Sequence, residues 1–547
     1  MKSKRLTLSV LFVVAAVANA LACTNLIVGK NASADGSTIV SYSADSYGLF
    51  GELYHYPAGM HKKGTLIDIH EWDTGKYLGQ IEQARQTYNV IGNMNEFQLT
   101  IGETTFGGRP ELVDTTGIID YGSLIYLGLQ RSRTAREAIK VMTELVQEYG
   151  YYSSGESFTI ADPNEIWIME MIGKGPGVRG AVWVAVRVPD DCISAHANQS
   201  RIHQFNMNDK ENCMYSPDVI SFAREKGYFD GVNKDFSFAD AYAPLDFGAR
   251  RYCEARVWSY FNMFTDRGNE FLPYILGETN TPMPLFVKPN RKVSVQDVKN
   301  AMRDHYEGTP LDISKDFGAG PYHTPYRLSP LSFKVGDREY FNERPISTQQ
   351  SGFVFVAQMR SELPDPIGGV LWFGTDDANM TVFTPVYCCT DKVPVCYTRV
   401  DGADYITFSW NSAFWIFNWV ANMVYPRYDL MMGDVRATQT ELETTFNEAQ
   451  EGVEAAAAKL LEKDPAKAKA FLTNYTNMTA QSTFDTWKRL GEFLVVKYND
   501  GVVKRMKNGQ FERNSIGQPA GVIRPGYPKE FLEEYVKQTG DRYKMPE

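Results

Sequence analysis

Past its N-terminal segment, this sequence of 547 residues contains no apolar run long enough to cross a bilayer. It has no basic excess either: 56 Lys and Arg face 66 Asp and Glu, for a formal charge of -10. So acidic a chain is not built for nucleic acid, which needs a basic face. The seven histidines, at 55, 61, 70, 196, 203, 305 and 323, show no spacing that suggests a metal cluster. There is no G-x-S-x-G elbow, no H-E-x-x-H zinc helix, no P-loop and no G-x-G-x-x-G after a strand. No internal repeat, low-complexity tract or long linker interrupts the chain. Nothing here demands a metal or an organic cofactor.

What is present begins at the N-terminus. Lys2, Lys4 and Arg5 form a basic region and Leu6 to Ala18 a short apolar one, followed by Ala20-Leu21-Ala22. This is the pattern of a secretory signal peptide over residues 1–22, with cleavage after Ala22. The expected product is an exported protein, periplasmic or extracellular, of about 525 residues with no later membrane insertion. Losing three basic residues and no acidic ones takes its charge to -13. Its first residue is Cys23. The six other cysteines, Cys192, Cys213, Cys253, Cys388, Cys389 and Cys396, are even in number, so an oxidising compartment permits disulfides, while buried free thiols fit equally well.

From Cys23 the runs "TNLIV" and "STIVSY" flank "GKNASADG", which predicts a β-hairpin turning at Asp35-Gly36. A loop centred between residues 33 and 35 puts the position opposite Cys23 between 43 and 48, a window containing Asp45. "YNVIG", "LTIGE", "SFTIAD", "EIWIMEMIG", "AVWVAVRV", "SGFVFVAQM" and "GGVLWFGT" read as strands. "TAREAIKVMTELVQEYG" and "VSVQDVKNAMRDHYEG" read as helices. Strands joined mostly by turns predict an α+β fold with largely antiparallel packed sheets. From about Thr438 two long helices are expected, broken at Asp464-Pro465. The chain thus divides into 23–435, a main domain, and 436–547, a helical region packed on it.

A cysteine at a new N-terminus carries a thiol and an α-amine, with ordinary pKa values of about 8.5 and about 7.7 to 8.0. One residue can then supply nucleophile and base, and a carboxylate such as Asp45 can orient the ammonium. An ordinary strand residue, or the lipid acceptor of a lipoprotein signal, fits the same position. Two loops offer polar groups. "NVIGNMNEFQLTIGETTFGG" brings Asn93, Asn95, Glu96, Glu103, Thr104 and Thr105; "SAHANQSRI" brings His196, Asn198 and Arg201. An asparagine amide suits an oxyanion or simply ties down a turn.

"CTNLIVGKNASADGSTIVSYSAD", "GNMNEFQLTIGETTFGG", "DYGSLIYLGLQRSRTAREAI", "YYSSGESFTIADPNEIWIMEMIG" and "SAHANQSRI" together resemble the secreted cysteine dipeptidases. These belong to the N-terminal nucleophile hydrolases and are related to choloylglycine hydrolases and penicillin V acylases. The resemblance implies a four-layer αββα sandwich that hydrolyses short peptides without metal or cofactor. It matches Cys23 to the nucleophile, Asp45 to the carboxylate supporting its amine, and Asn198 to the oxyanion asparagine. Arg201, Thr105 and Glu103 are the substrate-contacting candidates. Tyr42 stands where many relatives carry an arginine, leaving Arg201 as a candidate charge partner for the thiolate, and Thr105 falls near a second oxyanion asparagine of the acylases. Small peptides are the expected partners, and a homo-oligomer is compatible. Two rival readings are an N-acyl amide hydrolase and a lipid-anchored protein that binds peptides without cleaving them.

Overall fold

The runs flanking Asp35-Gly36 do form an antiparallel pair, Asn25–Val28 with Thr38–Asp45, in which Ile27 faces Val40 and Val28 faces Ile39. Gly36 has φ of 79°, a conformation that a β-carbon penalises. Asp35 locks the turn by accepting from the Ser37 backbone N–H and from the Ser33 and Ser37 hydroxyls. A bridge between Thr24 and Ser43 extends the register, so Cys23 lies opposite Ala44, inside the expected window and next to Asp45. This structure, a computed structural model, describes residues 23–547; the expected signal peptide lies outside the described residues.

Two antiparallel sheets carry the fold. The first orders its strands Ile193–His196, Asn25–Val28, Thr38–Asp45, Ser351–Met359, Val370–Thr375 and Thr384–Tyr387. The second runs Cys213–Tyr215, Ala181–Arg187, Ile166–Gly173, Gly155–Ala161, Thr100–Gly107, Met94–Asn95, Val90–Ile91 and His55–Tyr56. Thr38–Asp45 packs on Thr100–Gly107 and Gly155–Ala161. Every residue of Thr38–Asp45 is buried, so Ser41, Ser43 and Asp45, which alternate with Val40, Tyr42 and Ala44, lie in the interior as well. At Gly102 the sheets approach so closely that a β-carbon would lie 2.4 Å from Asn25 Oδ1.

Helices Tyr121–Arg131 and Ala135–Tyr149 lie against the larger sheet. Ala255–Phe264, Val295–Ala301, Ala413–Val424 and Pro465–Tyr498 lie against the smaller one. The fold is thus α+β with antiparallel sheets, as expected. The helix read through Gly308 stops at Ala301, and four residues beyond its cap Tyr306 adopts φ of 66°, which no helix continues through.

The first long C-terminal helix starts at Tyr428 rather than Thr438, and the expected division at 436 falls inside it. Its first turns bury Met431, Met432 and Val435 in the same core as the sheets, so no change of composition marks its start. The break at Asp464-Pro465 is as read: Asp464 caps the next helix by accepting from the Lys467 N–H, and Pro465 occupies a first-turn position where a missing N–H costs nothing. Glu443 pins the first helix to the core. Its carboxylate accepts from Arg303 Nη1 at 3.2 Å, Gln296 at 3.1 Å and the Phe383 N–H at 3.1 Å. Burial pushes this carboxyl up, but Arg303 and Lys299 overcome it and hold it at about 2. Glu443→Ala strands a buried guanidinium and should cost about 3–5 kcal/mol in urea unfolding, against about 0.5 kcal/mol or less for exposed Glu441→Ala. Equal losses would show that this ion pair does not hold the helix.

Candidate active site

Cys23 is buried at the head of the first strand, its Sγ 3.6 Å from the Tyr42 hydroxyl. Burial, then the negative charges of Glu103 and Asp45, push its thiol well above the ordinary value. The Asp45 backbone N–H and the Tyr42 hydroxyl oppose that push without cancelling it. At neutral pH the thiol in this setting keeps its proton.

Asp45 is buried beside it. It accepts from Ser351 Oγ at 2.6 Å, Arg344 Nη2 at 3.1 Å and Ser43 Oγ at 3.2 Å. Burial raises its carboxyl while Arg344 and the Ser351 hydroxyl resist. Ser351 reaches Asp45 because the two strands pair at this point, whereas Arg344 comes from 299 residues away in sequence.

The cation at Cys23 is Arg256, which the sequence reading did not single out. From Ala255–Phe264 it donates through Nη1 to the Cys23 carbonyl at 2.7 Å and to Thr24 Oγ1 at 2.8 Å. Through Nη2 it donates to the Ala197 carbonyl at 3.0 Å and to Asn198 Oδ1 at 2.9 Å. Burial, then repulsion from Arg344, lowers its pKa to about 10, which still leaves it charged at neutral pH. Asn198, at φ of 66°, sits on the far side of this guanidinium and donates from Nδ2 to the Thr105 carbonyl at 2.9 Å. Asparagine tolerates that backbone better than most residues.

Arg201 is placed differently from its expected role. Its guanidinium is taken up by Glu254 at 2.9 Å and by the carbonyls of Ala195 and Pro284, so it braces the loop from behind. His196 is also structural. Its ring nitrogens bond Thr104 Oγ1 at 2.7 Å and Thr159 Oγ1 at 2.6 Å, tying one sheet to the other.

Glu103 is the carboxylate that meets Cys23 from the opposite sheet. Its Oε1 accepts the Tyr42 hydroxyl at 2.5 Å, and burial raises its pKa to about 7. Glu156 lies against it with its own carboxyl well above the usual range, through burial and then Glu103. Thr105 turns its hydroxyl to Glu156 Oε1 at 2.7 Å. Cys23, Asp45, Asn198, Glu103 and Thr105 therefore converge, and Tyr42, Arg256, Arg344 and Glu156 join them. All seven cysteines are free thiols. Among the described residues no group of His, Cys, Asp and Glu has the arrangement to hold a metal ion.

A model of peptidase family C69 matches residues 22–55 and 50–441. The chain belongs to peptidase family C69. A probable dipeptidase of Salmonella dublin is 30% identical over 387 residues, covering 67% of this chain and 81% of the relative. One of Latilactobacillus sakei is 26% identical over 474 residues, covering 83% and 90%. Dipeptidase A of Lactobacillus helveticus is 24% identical over 416 residues, covering 72% and 80%. The family read from the N-terminal motifs is therefore the right one for this C69 peptidase.

The His196 bridge makes a pH prediction. Burial, then Arg201, lowers its pKa to about 3, so between that value and the unfolded one of about 6.5 only the unfolded chain binds the proton. Its stabilisation is thus full above pH 6.5 and is lost as pH falls. The stability advantage of wild type over His196→Gln should shrink by about 2 kcal/mol between pH 7.5 and pH 5. A constant difference in urea unfolding would mean that His196 is charged when folded.

Proposed function

We propose that this C69 peptidase is an exported dipeptidase whose nucleophile is Cys23, made N-terminal by removal of residues 1–22. The observation that carries the reading is the setting of Cys23: a buried thiol at a strand head, its carbonyl on Arg256, with Asp45 adjacent and Asn198 across the same guanidinium. The family match begins at residue 22, one residue before this cysteine. Relatives named as dipeptidases support dipeptides as the substrate class. We read the two sheets and their outer helices as the four-layer αββα sandwich of the N-terminal nucleophile hydrolases.

A thiol held protonated needs a base within reach, and the freed α-amine is on the same residue. The amine takes the thiol proton while sulfur bonds to the peptide carbonyl carbon, and Asn198 is assigned to the oxyanion. The C–N bond breaks as the ammonium returns its proton to the leaving amine. Water then attacks the thioester with the amine again as base, releasing the acid and the thiol. Asp45, fixed by Ser351 and Arg344, holds the ammonium in line.

Cys23→Ala should fold as wild type and lose dipeptide hydrolysis by about 10⁴-fold or more; retained activity would remove Cys23 from the mechanism. The N-terminal mass of the exported protein should match a chain beginning at an unmodified Cys23. A diacylglyceryl thioether, or a start elsewhere, would leave no free amine and exclude the reaction. In a substrate panel, cleavage of N-acyl amino acids alone would favour the amidase reading.

A further inference from the structure

We infer that Glu103 anchors the free α-ammonium of the peptide substrate, and that the aromatic pocket walled by Tyr42 and Tyr121 receives the side chain of that same N-terminal residue. This rests on the dipeptidase reading of Cys23.

In an unblocked dipeptide the ammonium is carried by the carbon next to the scissile carbonyl. Its counter-charge must therefore stand close to the attacking sulfur. Two buried carboxylates qualify. Asp45 is already occupied by Ser351, Ser43 and Arg344. Glu103 is one hydroxyl away from Sγ: Tyr42 touches the sulfur at 3.6 Å and donates to Glu103 Oε1 at 2.5 Å.

That leaves the other oxygen. Glu103 Oε2 and Glu156 Oε2 are both buried and accept from no hydroxyl or N–H; the two acids are hydrogen-bonded to each other instead, and they are 1% and 0% exposed. Burial acts most strongly on both; after it come the Tyr42 hydroxyl, Glu156, the Cys23 thiol and Asp73 for Glu103, and Glu103, the Thr105 hydroxyl and Asp73 for Glu156, with no cation among them. Buried acids without a cation are costly. An ammonium is a ligand that would take the place of the shared proton, donating hydrogen bonds to Oε2 and bringing positive charge to the pair.

The pocket lies on the same side. Tyr42, Tyr54, Tyr56, Trp72, Tyr121 and Phe353 line it, with Tyr54 edge-on to Trp72 at 4.7 Å. Tyr42 is thus shared: its ring walls the pocket and its hydroxyl bridges Cys23 and Glu103. A residue whose ammonium sits on Glu103 would turn its side chain toward these rings, and a small apolar side chain suits such walls.

The test compares wild type and Glu103→Gln on one unblocked dipeptide and on its N-acetylated form, and follows alkylation of Cys23 by iodoacetamide. Glutamine keeps the acceptor for Tyr42, and alkylation together with N-acetyl turnover reports a folded site. Wild type should prefer the unblocked peptide. The variant should lose about a hundredfold in kcat/KM on it, mainly through KM, while its loss on the N-acetyl peptide is at least about tenfold smaller and alkylation is no slower. Equal losses on both peptides, or alkylation slowed tenfold, would assign Glu103 to the nucleophile and overturn the inference. A wild type indifferent to acetylation would overturn it too while leaving the dipeptidase reading intact. A wild type that cleaves only the acetylated peptide would overturn both.

Discussion

One buried guanidinium organises this site. Arg256 is fully enclosed, and all its nitrogens are used: Nε on the Tyr252 carbonyl of its own helical segment, Nη1 on Cys23 and Thr24, Nη2 on Ala197 and Asn198. Burying a charge costs several kcal/mol unless its hydrogen bonds are met. Here meeting them requires the start of the first strand, the 197–198 turn and a helix more than 200 residues later to be in place together. The position of the Cys23 carbonyl, and with it the thiol, is a condition of that charge being tolerated. Arg344 on Asp45 adds a second cation, so the site alternates acids and guanidiniums.

The sheets are joined by polar ties as well as apolar packing. His196 reaches Thr104 and Thr159, Asn25 Nδ2 reaches the Glu103 carbonyl at 2.7 Å, and Thr38 Oγ1 reaches the Asp162 carbonyl at 2.7 Å. Each bond is satisfied only in one register, and slipping it would bury an unpaired group at about 1–3 kcal/mol. Two of the ties land on Thr104 and Glu103, in the segment that also carries Thr105. The carboxylate facing Cys23 is therefore positioned by a rigid strand, not by a loop.

The parts legible in the sequence were those written in local pattern. The hairpin from Cys23, the apolar strands and the Pro-capped C-terminal helix follow from turn chemistry and periodicity, and hairpin arithmetic alone put Asp45 beside Cys23. The site's cations were not legible. Arg256 and Arg344 lie 233 and 299 residues from the groups they bind, and no spacing rule connects them. Arg201, chosen because it sits near Asn198 in sequence, is directed to Glu254 instead. Proximity along a strand-to-loop corner says little about which way a long side chain turns. Glu156 and Tyr121 escaped for a related reason: each is an ordinary residue on its own strand or helix until strand pairing within the larger sheet, and packing of Tyr121–Arg131 on it, bring it to Glu103.

On the proposed mechanism, the charge balance also explains why the nucleophile should be a terminal residue. With Cys23 inside a longer chain, its nitrogen is an amide: it is neither basic nor charged. The thiol then faces Glu103 and Asp45, both of which disfavour the thiolate, with burial pushing the same way. Cleavage after Ala22 changes two things at once. It creates the base that removes the thiol proton, and the ammonium so formed is a positive charge on the same residue, placed between a new thiolate and the existing carboxylates. Asp45, which helps suppress an internal cysteine, then becomes the counter-charge for the ammonium. On the proposed mechanism, such a site would be inert with residues 1–22 attached and competent once Cys23 carries a free amine.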